Sequence, residues 1–491
     1  MTSQPTPYCD FSGQFIDGQW RPGRAGTTMP DLNPYSGEAI AEIALASKAD
    51  LDAAYEAAAR AQVQWGRTGP QVRMELFQRA IRILDDRKDE IIGWLVRESG
   101  STLFKAGAEW AAVRGGMMEA LTLPSRVEGR IMPIDQPGQQ SYVFREPVGV
   151  VGVISPWNFP FALSHRSIAP ALALGNAVVV KPAEDTPITG GLLIAKIYEE
   201  AGLPQGLLNI VIGDVTEIGD DFTLHAIPKF ISFTGSTRVG KHIGGLAMQG
   251  PWLKHVGLEL GGNAPCVVLD DADLDHAVRA AIFGRFLHNG QICMSSNRII
   301  VDASVYDEFV DRFIAHAASL KTGDPADPET AIGPLVNARQ KDAAVRSIAA
   351  GRAAGFALRL EGTIDGLVVP PHVFTDVVND SPFAQAEQFA PIAPIIRAAD
   401  EADALKLANQ TEFGLSSAVF TRDRARGLRF ARGIDAGMTH VNDISVQDSP
   451  FNMFGGEKNS GLGRFNADWI VNELTRDHWI TTNEETVPYP F

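Results

Sequence analysis

The sequence predicts an α/β fold: a doubly wound, mainly parallel sheet, then a second α/β domain and a small β element. Three observations predict it. From Val148 onward, short apolar runs alternate with helical patterns, as buried parallel strands and their crossover helices do. The same alternation resumes after Glu259, which implies a second unit. At 491 residues, the chain is also too long for one ordinary core and calls for two to four domains.

The elements follow in order. Ser47-Lys-Ala-Asp50 reads as a capping signal for a helix over the Ala-rich stretch Leu51 to Trp65, and a second helical pattern runs from Gln71 to Glu98. Arg126 to Arg145 is rich in Pro, Gly and Gln and reads as a protruding hairpin. Val148 to Ile154 is the first buried strand, followed by a Pro/Asn loop and a helix to Leu174. Strands are then expected at Ala177 to Val180, Leu207 to Ile212 and Phe230 to Phe233, with a helix from Ile188 to Ala201 and another opening at Gly235. The first sheet ends near Leu258. Cys266 to Leu269, a helix from Asp273 to Phe286, Ile299 to Val301 and a helix from Val305 to Leu320 build the second unit. The tail Trp479 to Thr482 has strand character and leads to Tyr489-Pro-Phe491.

Composition excludes several classes of function. A formal charge of -16 offers no basic face for a nucleic-acid backbone and no polybasic patch for anionic lipid. No apolar stretch approaches the length of a membrane span, and Met1-Thr-Ser-Gln-Pro lacks the features of a secretion signal, so a cytoplasmic location is expected. Cys9, Cys266 and Cys293 are widely spaced and odd in number, giving neither a disulfide framework nor a metal site. No metal is expected.

Cys293 is the leading candidate nucleophile. It lies in Phe286-Leu-His-Asn-Gly-Gln-Ile-Cys-Met-Ser-Ser-Asn-Arg298, on a loop just past a helix end marked by Asn289-Gly290, where a scaffold commonly presents a reactive group. A free cysteine is more often an inert buried hydrophobe, and the setting is what argues otherwise. Glu259, between two leucines before Gly-Gly, is a candidate base whose pKa partial desolvation would raise; a solvated or ion-paired Glu is the plainer alternative. Asn158 follows the first buried strand in Ser155-Pro-Trp-Asn-Phe-Pro160, where an amide can donate to an oxyanion or simply serve the turn. Lys181-Pro-Ala-Glu184 puts an ammonium and a carboxylate at the next strand end, within reach of an adenine ribose, or else a surface ion pair. A carboxylate there accepts from a free 2′-hydroxyl, which favours NAD over NADP without excluding NADP. Phe233-Thr-Gly-Ser-Thr-Arg-Val-Gly240 opens a helix with small residues, suiting a pyrophosphate with Ser236 assisting, although it matches neither standard phosphate fingerprint. His288, five residues before Cys293, raises the alternative of a Cys-His hydrolase, which leaves the cofactor motifs unexplained. Lys458 reads as structural.

Taken together, these blocks resemble the aldehyde dehydrogenase superfamily. Pro156-Trp-Asn-Phe-Pro160, Lys181-Pro-Ala-Glu184, Phe233-Thr-Gly-Ser-Thr237, Leu258-Glu-Leu-Gly-Gly-Asn263 and Gly290-Gln-Ile-Cys293 match its motifs in register. Glu387-Gln-Phe-Ala-Pro-Ile392 and Phe454-Gly-Gly-Glu-Lys-Asn-Ser-Gly-Leu-Gly-Arg464 do so as well, so that the likeness spans nearly the whole chain. The resemblance implies a Rossmann-type NAD-binding domain (1–125 and 146–258), a catalytic domain (259–465) and an oligomerisation element (126–145 and 466–491), in a homodimer or homotetramer. It makes Cys293 the nucleophile, Glu259 the base, and Asn158 an oxyanion donor together with the Cys293 backbone N–H. Implied cofactor residues are Ile154, Ser155, Trp157, Lys181, Glu184, Gly213, Gly235, Ser236, Leu260, Glu387 and Phe389, the last pair holding the nicotinamide ribose. Ala390 departs from the Gly usual in the family, which puts local backbone geometry in question. Coenzyme A-acylating members generally lack the Glu, so Glu259 favours hydrolysis.

Within the family, Val148 to Ala201, Thr439-His-Val-Asn-Asp443 and the Tyr-Pro-Phe end look most like bacterial benzaldehyde and vanillin dehydrogenases. An aromatic aldehyde is therefore expected, with Phe159, Arg166, Met294 and Phe451 near it. Arg166 can meet a ring face or phenolic oxygen, or can be ion-paired on a helix surface. A semialdehyde dehydrogenase using Arg166 to bind a distal carboxylate is one alternative. A catalytically silent protein on the inherited fold is another, and the retained Cys293 and Glu259 argue against it.

Overall fold

The computed structural model describes residues 5–486 and 489–491; Met1 to Gln4, within the stretch read for a secretion signal, lie outside them. The first helix, Lys48–Trp65, starts where the Ser47 N–H donates to the Asp50 carboxylate at 3.0 Å, the reciprocal cap anticipated from sequence. The periodic stretch from Gln71 to Glu98 is not one helix but two, Pro70–Asp86 and Lys88–Ser99. Arg87 leaves helical geometry between them, its guanidinium held by Glu90 and Glu200 and lying 3.7 Å over the Tyr8 ring. Helix α1 (Leu103–Thr122) follows.

The first sheet has a parallel core of β1 (Val150–Ile154), β2 (Ala177–Lys181), β3 (Leu208–Ile210), β4 (Phe230–Thr234) and β5 (His255–Glu259). Their continuous apolar character suits strands covered on both faces. The spatial order is β3-β2-β1-β4-β5, so the direction in which strands are added to the sheet reverses between β1 and β4, the crevice where α/β sheets bind ligands. Register aligns Ile154 with Lys181, Phe233 with Ile154, and Thr234 with Glu259, placing these carboxyl ends together. Helix α2 (Pro160–Ala173) leaves the loop after β1, and α3 (Thr237–Ala247) leaves β4. The latter begins two residues later than expected, because the Gly235 N–H closes the strand by donating to the Glu259 carbonyl at 2.9 Å and Ser236 serves as the cap. The helix expected from Ile188 opens as a π-helical turn, Ile188–Leu192, since buried Glu98 accepts the N–H groups of Ile188 at 2.6 Å and Thr189 at 2.7 Å.

Beyond Glu259, β6 (Pro265–Val268), β7 (Arg298–Asp302), β8 (His372–Thr375), β9 (Ile392–Ala398), β10 (Ala418–Phe420) and β11 (His440–Val441) form a second parallel sheet in the order β8-β9-β7-β6-β10-β11. Ala357–Leu360 adds an antiparallel edge. Apolar clusters cover both its faces, one of them including α4 (Leu274–Phe286). The late Gly-rich block returns to the first sheet, where Gly461 pairs with Glu259. The Pro/Gly-rich segment is a hairpin, Arg130–Met132 with Gln139–Pro147, and Thr475–Asn483 pairs with its longer strand over nine residues. Among the described residues no helix is long and apolar enough to cross a membrane.

Candidate active site

The loop carrying Cys293 is built from a buried cation and a left-handed turn. Arg285, in the last turn of α4 and fully buried, donates through Nη2 to the carbonyls of Gln388 at 2.6 Å and Ala390 at 2.8 Å. It thereby ties the Glu387 segment to the Cys293 loop. His288, Asn289 and Gly290 then take φ of 49°, 59° and 73°, a conformation costly for the two non-glycine residues. Asn289 holds the turn by donating to the Pro334 carbonyl at 2.7 Å and accepting from the Gly333 N–H at 3.0 Å.

Glu259 ends β5 on the other side of the cleft. A Cβ at Gly262 would lie 2.0 Å from the Cys293 carbonyl oxygen, so only glycine lets the loop after β5 come this close. The Glu259 side chain is buried and neither carboxylate oxygen has a hydrogen-bond partner. Burial raises its pKa to about 8, against the pull of Arg166 and Arg464. Half-buried Cys293 is pushed up to about 12, first by desolvation and then by Glu387 and Glu259, while Arg166 acts in the opposite direction. The thiol thus rests protonated, and Glu259 gains its basic form as pH rises through about 8.

Asn158 is buried, and its Nδ2 donates to the Gln291 carbonyl at 2.8 Å, which fixes the amide beside the Cys293 loop and leaves its second hydrogen uncommitted. Phe159 packs edge-on to His288 at 5.6 Å and lies 4.2 Å beneath the Lys105 ammonium. That lysine, fully buried, donates to Glu109 at 2.5 Å, and Glu109 in turn accepts the N–H groups of Phe161 and Ala162, both at 3.0 Å, at the start of α2. Sequence reading missed this pair; its signal was a Lys and a Glu four apart within an otherwise apolar helical face. His288 makes no hydrogen bond to Cys293, and burial drives its pKa well down, so the Cys-His arrangement is absent among the described residues. Lys458 is held by Asp435 at 3.2 Å, in keeping with a structural role.

The crevice between β1 and β4 gathers the expected cofactor residues. Ile154 ends β1, and the Ser155 N–H donates to the Lys181 carbonyl at 3.2 Å. The buried Lys181 ammonium has Glu184 at 3.8 Å, whose side chain stays 44% exposed and available to a ligand. At Gly213 a Cβ would press on Ile218 at 2.6 Å, and at Gly235 on the Phe233 ring at 2.5 Å. The Gly235 N–H donates to the Glu259 carbonyl, which leaves the first turn of α3 after Ser236 to meet a pyrophosphate. Leu260 packs against Gly240, where a Cβ would lie 2.2 Å from it. Trp157 meets Phe389 edge-on at 5.4 Å. Glu387 accepts the Gly262 N–H at 2.9 Å and is raised to about 7 by burial. A buried ammonium with an open carboxylate, a small-residue helix start and a carboxylate across the crevice together fit a dinucleotide. Ala390 does not need a left-handed backbone, so the departure from Gly is accommodated.

The expected substrate residues divide. Met294 is buried, and its carbonyl accepts from Ser445 at 2.7 Å. Arg166 is not on an open helix surface: its guanidinium pairs with Asp448 and lies 3.9 Å over the Phe454 ring. Phe451 lies on the loop after Asp448 and is 62% exposed.

The aldehyde dehydrogenase family profile matches residues 20–480. This chain belongs to the aldehyde dehydrogenase family. It is 50% identical over 471 residues to a vanillin dehydrogenase of Corynebacterium glutamicum, covering 96% of this chain and 97% of the relative. The crystal structure of an NAD-dependent benzaldehyde dehydrogenase from Corynebacterium glutamicum superposes with a TM-score of 0.90 at 47% identity, over 97% of this chain and 99% of that one. A salicylaldehyde dehydrogenase from Pseudomonas putida G7, complexed with salicylaldehyde, gives a TM-score of 0.94 at 36% identity, over 98% and 99%. For an aldehyde dehydrogenase, the features that motif reading left out are the supports: Lys105 and Glu109 at Phe159 and the start of α2, Arg285 beneath the Cys293 loop, and Asp448 against Arg166.

Proposed function

We propose that the chain oxidises an aromatic aldehyde to its carboxylic acid with NAD, using Cys293 as nucleophile and Glu259 as base. One observation carries this reading: the loop after Glu259, whose buried carboxylate has no partner, passes so close to the Cys293 backbone that only a glycine fits at position 262. The Cys293 thiol gives up its proton to water, and the sulfur adds to the aldehyde carbon, forming the C–S bond and moving the carbonyl electrons onto oxygen. The second Asn158 amide hydrogen and the Cys293 N–H stabilise that oxyanion. When bound, the nicotinamide supplies the acceptor for the hydride that this carbon must lose to become a thioester. Glu259 then takes a proton from water as the water attacks the thioester; the C–S bond breaks, the sulfur leaves with its electron pair, and the acid departs.

The crevice would hold NAD through Lys181 and Glu184 at the adenine ribose, Ser236 at the pyrophosphate and Glu387 with Phe389 at the nicotinamide ribose; Ile154, Ser155, Trp157, Gly213, Gly235 and Leu260 shape it. The names of the relatives support an aromatic substrate, with Phe159, Arg166 and Met294 nearest to it. The exposed faces of Ile131 and Trp479 on the three-stranded sheet support an oligomerisation element of 126–145 with 466–491, in a dimer or tetramer that sedimentation velocity would read. The remaining boundaries are 1–125 with 146–258 for the cofactor domain and 259–465 for the catalytic one, in a cytoplasmic enzyme.

Measuring NADH formation with benzaldehyde, vanillin and hexanal tests the substrate class. The aromatic aldehydes are expected to give the higher kcat/KM, and activity confined to hexanal would overturn the aromatic reading. Asn158→Ala is expected to lower kcat by about 10²–10³-fold, the usual loss for one oxyanion donor, with NAD affinity retained. Since burial raises Glu259 to about 8, its basic form populates only as pH climbs through that value. Steady-state turnover limited by deacylation should therefore rise about tenfold in all from pH 7 to pH 9 and level off above it, in a pH–rate profile.

A further inference from the structure

The charge of Arg166 acts on both Glu259 and Cys293, and its side chain is held on two sides. On one face it lies 3.9 Å over the Phe454 ring, and at its end it pairs with Asp448. The Arg166 side chain is 11% exposed, so it cannot swing into solvent without breaking both contacts. Asp448 is itself held: its second oxygen accepts from Asn466 Nδ2 at 3.1 Å, and the same amide nitrogen donates to the Ser449 carbonyl at 3.1 Å. Asn466 takes a φ of 66° directly before the helix Ala467–Leu474, so this latch fastens the 448–449 loop to a helix start. The pair lines a cavity of about 120 Å³ whose other walls include Val113, Ala162, Ala169 and Pro450.

A carboxylated substrate arriving here would need a cation with a free hydrogen-bonding edge. Arg166 already has its countercharge, and Asp448 would repel a second carboxylate placed beside it. We propose that Asp448 is a specificity-determining positioning residue, which neutralises Arg166 and so turns an anion-binding arginine into a wall that admits uncharged aromatic aldehydes and rejects carboxylated ones. The inference rests on aldehyde oxidation at Cys293. It decides against a distal-carboxylate semialdehyde as the preferred substrate of the native chain.

The test measures kcat and KM for benzaldehyde, 4-carboxybenzaldehyde and succinate semialdehyde with wild type, Asp448→Asn, Asp448→Glu and the double variant Asp448→Asn with Arg166→Met. Asp448→Asn is expected to raise the kcat/KM ratio of 4-carboxybenzaldehyde to benzaldehyde by about tenfold or more, the worth of one new ion pair, through a lower KM. Asp448→Glu should restore the wild-type ratio, and the double variant should lose the gain. A ratio unmoved by Asp448→Asn, or a gain that survives loss of Arg166, overturns the proposal. Wild type inactive on benzaldehyde would instead overturn the aromatic reading on which it rests.

Discussion

Cys293→Ala is expected to abolish aldehyde-dependent NADH formation, a loss on the order of 10⁶-fold in kcat, as for other enzymes that lose the nucleophile of a catalytic unit. No other described group can replace it. Cys266 is buried in β6 with its thiol raised to about 12, and Cys9 is exposed far along the chain at the N-terminal end. The fold should survive, because Cys293 is half-buried and the turn before it is held by Asn289 and Arg285 rather than by the thiol. NAD titration followed through protein fluorescence, with Trp157 in the crevice, is expected to give an affinity close to wild type. Residual turnover within a hundredfold of wild type would sink the assignment.

Glu259→Gln is expected to separate the two halves of the reaction. The amide is isosteric with a carboxyl that is already partnerless and buried, so no ion pair or hydrogen bond is lost. Hydride loss needs no proton acceptor at that position, whereas water attack on the thioester does. Stopped-flow absorbance should therefore record a burst of NADH close to one per active site, followed by a steady state slowed by about 10²–10⁴-fold, the usual contribution of a general base. A normal steady state would argue against Glu259 as the base. A lost burst would mean that the same carboxyl also removes the Cys293 proton.

Much of this architecture was legible in residue order. The strands β1 to β5 announced themselves as short apolar runs, because a parallel strand covered on both faces has no room for alternation. Glu259, Asn158 and Cys293 were legible because each sits at a strand or helix end next to turn residues. What stayed hidden depends on contacts between distant segments. Arg87 interrupts a long helical pattern through Glu200 and Tyr8, and Glu98 reshapes the turn at Ile188, neither of which leaves a local trace. The consumption of the Gly235 N–H by Glu259 depends on the register between β4 and β5. The meaning of Arg166 was undecidable without Asp448, which lies 282 residues away along the chain.

In this mechanism Cys293 carries the acyl group that Glu259 releases. Glu259→Gln mixed with benzaldehyde and NAD, quenched in acid and digested for mass spectrometry, tests it directly. The account predicts one benzoyl group on the peptide containing Cys293, accumulating at the rate of the NADH burst and absent when NAD is omitted. An unmodified Cys293 peptide alongside a full NADH burst would contradict it.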